Sequence, residues 1–106
     1  MVKKILFLAF IAFASQTHSQ ENSVERLLAS PNPFSNSTTI SFVSTQEQGV
    51  FLTVKNVLGK TVFKKGYYAK KGRRKIEFER RNLNPGMYIY TIQSNSTIIT
   101  KRFVIR

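Results

Sequence analysis

The chain has 106 residues, with no Cys, Asp or Trp and one histidine, His18. Seventeen Lys and Arg against five Glu give a formal charge of +12. This length holds one domain at most. Without Cys there is neither a disulfide scaffold nor a thiolate metal site, and without Asp a calcium loop has lost its main ligand. An apolar content of 42%, with nine Phe and four Tyr, is too high for a disordered polycation. What remains is a small, basic, folded domain.

The N-terminus reads as a targeting segment. Lys3 and Lys4 precede an almost unbroken apolar run, Ile5–Ala14. A membrane-spanning helix needs about 20 such residues. A positive head, a short apolar stretch and small residues beyond it describe a secretory signal peptide. Small residues at −3 and −1 fit a cut after Ala14 or after Ser19. The second is favoured, so residues 1–19 are assigned to the signal peptide, and no transmembrane span is expected in the mature chain. That cut also removes His18. An exported domain without cysteine draws its stability from packing alone.

Beyond it the pattern is all-β. Residues 20–26 are polar and read as a short leader. Leu27-Leu28-Ala29 is a brief apolar stretch stopped by Ser30-Pro31-Asn32-Pro33, a bend that can neither continue a helix nor pair inside a sheet. Phe34 is placed to plug one end of a core. In Thr39–Val43, Ile40 and Phe42 share one face. In Val50–Val57 the inward set is Val50, Leu52 and Val54. Leu58-Gly59-Lys60 reads as a hairpin turn with Gly59 at positive φ. Thr61–Lys65 returns with Val62 inward, and Gly66–Gly72 reads as a basic, glycine-bounded connection. Arg74–Glu79 alternates with Ile76 and Phe78 inward. Leu83 is a second plug, and Pro85-Gly86 a turn. Met87–Gln93 is apolar on both faces, as a central strand would be. Thr97–Ile105 is the last strand. Six strands and one short one, at intervals of about 8–12 residues, predict one two-sheet sandwich of about seven strands.

The catalytic inventory is thin, and no enzyme is expected. A Ser–His–acid arrangement would need His18, outside the mature domain. Glu77 and Glu79 share a strand face about 7 Å apart. Five cations surround them in the sequence, a setting that does not suit a general acid. The densest feature is nine Lys and Arg between Lys64 and Arg81, interleaved with Tyr67 and Tyr68. Basic and aromatic residues together suit single-stranded nucleic acid, but an exported chain does not meet it, and no specific nucleic-acid partner is expected. Attraction of Lys70, Lys71, Arg73, Arg74 and Lys75 to anionic surfaces such as lipopolysaccharide is the alternative to plain solvation. Asn36-Ser37-Thr38 and Asn95-Ser96-Thr97 match the N-glycosylation triplet and are taken as turn chemistry.

Four patterns stand in order. They are Ser30-Pro31-Asn32-Pro33-Phe34, then Val57-Leu58-Gly59-Lys60, then Leu83-Asn84-Pro85-Gly86-Met87-Tyr88, and a terminal Lys101-Arg102-Phe103-Val104-Ile105-Arg106. Together, over residues 27–106, they resemble the C-terminal sorting domain of type IX (Por) secretion substrates. The resemblance implies an immunoglobulin-like sandwich and a non-enzymatic export module with no cofactor. It implies passage to the periplasm of a Gram-negative bacterium, then secretion or attachment at the cell surface. The implied partners are the type IX translocon, its shuttle protein and a sortase-like protease. The family motifs fall on Pro31, Asn32, Pro33, Gly86, Tyr88, Lys101, Arg102 and Arg106 as recognition candidates. The last strand is expected to offer a free edge for β-augmentation. Such domains normally follow a large cargo. With only residues 20–26 ahead of it, the chain is expected to be either a standalone sorting-domain-like protein or a fragment separated from its cargo. A standalone module gripping anionic glycan or lipopolysaccharide is the second functional expectation.

Overall fold

The computed structural model describes residues 22–106, so the signal-peptide assignment and its cut sites lie outside the described residues. Seven strands follow in chain order, with no helix among those residues: β1 Val24–Ser30, β2 Ser37–Ser44, β3 Gln48–Asn56, β4 Thr61–Ala69, β5 Gly72–Glu79, β6 Gly86–Gln93 and β7 Ile98–Ile105. They form two antiparallel sheets, β1-β2-β5 and β4-β3-β6-β7. The predicted all-β, immunoglobulin-like sandwich is the observed fold.

Alternation builds the core. Ile40 faces Ile76 across β2 and β5, while Leu52 faces Ile92 and Val54 faces Tyr90 across β3 and β6. All six are buried. Phe103 is the hub, with ring centroids 5.1 Å from Phe34, 5.5 Å from Phe78, 6.0 Å from Tyr88 and 5.2 Å from Tyr90. Phe34 is buried as the expected plug, and Leu83 packs partly buried against the same cluster. β6, predicted to be central, lies between β3 and β7.

Two boundaries differ from the sequence pattern by three residues or more. β1 begins at Val24, three residues before the apolar stretch, because a bulge between Glu25 and Leu28 breaks the alternation; Arg26 takes φ 56° there. The segment read as a loose leader therefore enters the sheet, and its Ser23 is buried in a hydroxyl cluster. The Ser23 hydroxyl meets that of Ser94 at 2.6 Å, and its N–H donates to Thr97 Oγ1 at 2.8 Å. The Ser23 carbonyl accepts from Thr45 N–H and Gln48 Nε2. The second difference is β4, which runs on to Ala69. The supposed Gly66–Gly72 connection shrinks to Lys70-Lys71, where the chain changes sheets. Gly66 sits within β4 because the Phe51 ring occupies its side-chain space, 3.1 Å from where a Cβ would stand.

Tyr90, buried under both sheets, has its phenol pKa raised above 10.0, chiefly by burial, with a backbone contact from Ala29 pulling the other way. Folding thus favours the protonated ring. That stabilisation is complete below pH 10 and is lost as pH climbs through the raised folded value. Urea midpoints for wild type and Tyr90→Phe should therefore converge between pH 8 and 11, with wild type losing more. Parallel curves would show that Tyr90 does not titrate with unfolding.

Candidate functional site

Strand direction sorts the domain into two poles. At the first lie Ser23, the β2–β3 turn, Lys70-Lys71 and the β6–β7 turn. At the second lie the Pro31–Phe34 segment, the β3–β4 turn, the Arg80–Pro85 loop and Arg106. The second pole collects three of the four sequence motifs and the end of the fourth.

The Pro31–Phe34 segment is a strap on β7. Proline has no N–H, so Pro31 and Pro33 cannot donate to a ladder. Asn32 compensates with its side chain. Its Nδ2 donates to the Arg102 carbonyl at 3.2 Å, and its Oδ1 accepts from Val104 N–H at 2.9 Å. One amide thus supplies the donor and acceptor that a neighbouring strand would supply. Phe34 then pairs by backbone, parallel to β7. Its N–H donates to Val104 O at 3.0 Å, and its carbonyl accepts from Arg106 N–H at 2.8 Å. Thr38 Oγ1 donates to Pro31 O at 2.6 Å and fixes the other side of the strap.

This corrects one expectation. The last strand does not offer its whole edge for β-augmentation, because Asn32 and Phe34 already occupy the part from Arg102 to Arg106. Unpaired edges invite aggregation, and the strap blunts this one. The covered edge leaves its bases and prolines exposed together.

Tyr88 and Gly86 are placed for folding. Tyr88 is buried, and its hydroxyl donates to Asn84 O at 2.7 Å, four residues upstream. This is the tyrosine corner expected at the start of the sixth strand in immunoglobulin-like sandwiches. Gly86 opens β6 at φ 147°, a conformation L side chains rarely adopt. The Tyr88 ring thus lies inside the sandwich, and Gly86 has no side chain.

Alternation separates the terminal bases. Arg102 lies with Thr100 and Val104 on the outer face. Lys101 has the parity of Phe103 and Ile105, yet it is exposed, since β7 is at the sheet margin. Arg106 follows the strand and is exposed.

Arg80 has a role hidden from sequence reasoning by the run of cations around it. Its Nε donates to Leu83 O at 2.9 Å and its Nη1 to Arg106 O at 2.8 Å, so it ties the loop to the end of β7. The β3–β4 turn adds an apolar tip. Asn56 Oδ1 accepts from both Leu58 and Lys60 N–H at 3.0 Å, Gly59 takes φ 85° as expected, and Leu58 is 89% exposed.

Of the candidate polyanion residues, Arg73, Arg74 and Lys75 line one cleft beside β5, and Lys70 and Lys71 stand apart from it. Lys70 and Lys71 form the tip at the first pole. Arg73 and Lys75 stand on the outer face of β5 with Glu77, while Arg74 points the other way and is half-buried. Tyr68, beside them, has its pKa raised, first by the Glu47 carboxylate and then by burial and a 3.2 Å hydrogen bond to Glu47.

A search of curated proteins finds no match. The family model described as the secretion system C-terminal sorting domain matches residues 29–106, from the end of β1 through the strap, the tyrosine corner and β7. The chain therefore belongs to the type IX (Por) secretion C-terminal sorting domain family, and residues 29–106 are a sorting signal of that secretion route.

Proposed function

We propose that the second pole is the surface read by the outer-membrane translocon and its shuttle protein, and that this reading commits the protein to export or to attachment at the cell surface. Pro31, Asn32 and Pro33 form one half of the surface, and the exposed bases Lys101, Arg102 and Arg106 form the other. The single observation that carries this is the strap: motifs 70 residues apart in sequence are joined by Asn32 to Arg102 and Val104. Removal of the domain by a sortase-like protease would then act after delivery. Gly86 and Tyr88 serve by keeping the pole in shape.

The family resemblance makes deletion of Lys101–Arg106 the obvious test, but that deletion also removes Phe103 and Ile105 from the core. The informative change neutralises charge and leaves β7 whole. With a reporter inserted between residues 19 and 20, in a host with type IX secretion, Lys101→Ala, Arg102→Ala and Arg106→Ala together should lower export about tenfold or more, with an unchanged thermal midpoint. Export at the wild-type level from the folded triple variant would sink the proposal.

A further inference from the structure

The two sheets are unequal. Three strands face four, and the shortfall falls beside β5. Register puts Phe63, Lys65, Tyr67 and Ala69 of β4 on the inner face, opposite Val54, Leu52, Val50 and Gln48 of β3. Only Ala69 is buried; Phe63 and Tyr67 are half-covered and Lys65 is exposed. Core-facing positions stay uncovered because none of the seven described strands lies over them. Between the β4 and β5 edges run two adjoining clefts of about 490 and 380 Å³, which meet at Tyr67 and are floored by Phe42, Ile76 and Phe78.

We infer that this seam is a docking groove for an extended, acidic segment of a partner protein, which adds to the free edge of β5 as a fourth strand of the smaller sheet. Among the described residues no strand neighbours the edge of β5 away from β2, so its backbone groups are open to pairing. A strand laid there turns alternate side chains inward, over Ile76, Phe78 and the exposed inner face of β4. The other side chains lie beside Arg73 and Lys75. The groove is rimmed by five cations, Lys65, Arg73, Arg74, Lys75 and Arg81, against two carboxylates, Glu77 and Glu79. A second copy of this basic chain would set like charges opposite each other, which is unfavourable. Lys65, an inward-pointing charge on an edge strand, discourages self-pairing in the same way, while a carboxylate would neutralise it. A purely anionic glycan would satisfy the rim and leave the apolar floor uncovered. The segment that fits alternates apolar residues with acids. This surface lies along the β4–β5 side, apart from the strapped β7 edge, so it engages a different partner or a different part of one.

The test uses purified protein and a fluorescein-labelled eight-residue peptide of alternating Val and Glu, followed by anisotropy and amide chemical shifts. Saturable binding is expected, with the largest shifts at residues 73–79. N-methylation of every second peptide amide, which blocks pairing and cannot disturb the protein, should weaken binding about tenfold or more. Arg73→Gln with Lys75→Gln, both on the exposed outer face, should weaken it several-fold without changing the circular dichroism. Raising salt from about 50 to 300 mM should do the same. Absence of binding overturns the inference. So does equal binding by N-methylated peptide or by polyglutamate, which would show charge attraction alone. Shifts confined to β7 would assign the peptide to the strapped edge and equally overturn it.

Discussion

Phe103→Ala should cost about 3–5 kcal/mol of folding stability, the range for emptying a buried aromatic site. The ring has no exposed surface and meets four other aromatic rings, two from β6, one from β5 and one from the strap. Each such pair adds up to about 1 kcal/mol beyond simple burial. A domain of this size is stable by roughly 5–15 kcal/mol in total. At about 4–8 °C per kcal/mol, the thermal midpoint should fall by roughly 15 °C or more. Arg102→Ala, one residue away on the outer face, should stay within about 0.5 kcal/mol of wild type. Urea denaturation of the two variants makes the comparison, and a Phe103→Ala loss under about 1 kcal/mol would show that the hub does not organise the core. The pair also divides the terminal motif by job: Phe103 and Ile105 hold the sandwich together, and the bases around them are left to face a partner.

Asn32→Ala should cost about 1–3 kcal/mol, the sum of two hydrogen bonds at ordinary net strengths. The more telling readout is local. Amide exchange at Val104 should speed up, because its N–H loses its acceptor, while Phe34 and Arg106 keep their mutual backbone pairing through Val104 O and Phe34 O. Asn32→Asp keeps an acceptor for Val104 and loses the donor to Arg102, so it should fall between wild type and alanine. Unchanged protection at Val104 in the alanine variant would remove the strap from the account of the β7 edge. Pro31 and Pro33 cannot substitute for the lost amide, since neither carries an N–H.

Period-two alternation read the inner strands well. Ile40 and Phe42, Val50, Leu52 and Val54, and Ile76 and Phe78 were all legible because each strand has a buried face and an exposed one. β1 was cut short because its bulge puts Glu25 and Arg26 side by side, and the alternation resumes only at Leu27. β4 was cut short for the opposite reason: its inner face is only half covered, so Lys65 occupies a core-facing position and Gly66 mimics a turn. The strap was invisible as a contact. A side-chain amide that takes the place of a strand has no periodic signature, and the Asn32 partners lie 70 residues away. The buried cluster of Ser23, Ser94 and Thr97 left only short polar residues in two segments read as leader and turn. Arg80 looked like any other member of the basic run.

The parallel pairing of Phe34 with the end of β7 also sets how the domain answers to force. β1 starts at one pole and β7 finishes at the other, so a pull on the polypeptide ahead of Asn22 against a grip near Arg106 draws the two strands past each other lengthwise. The Asn32 and Phe34 bonds then lie across the direction of pull and share the load in shear, where an antiparallel hairpin would unzip one bond at a time. A label handled from its two ends is thus fastened along the line on which it would be tugged.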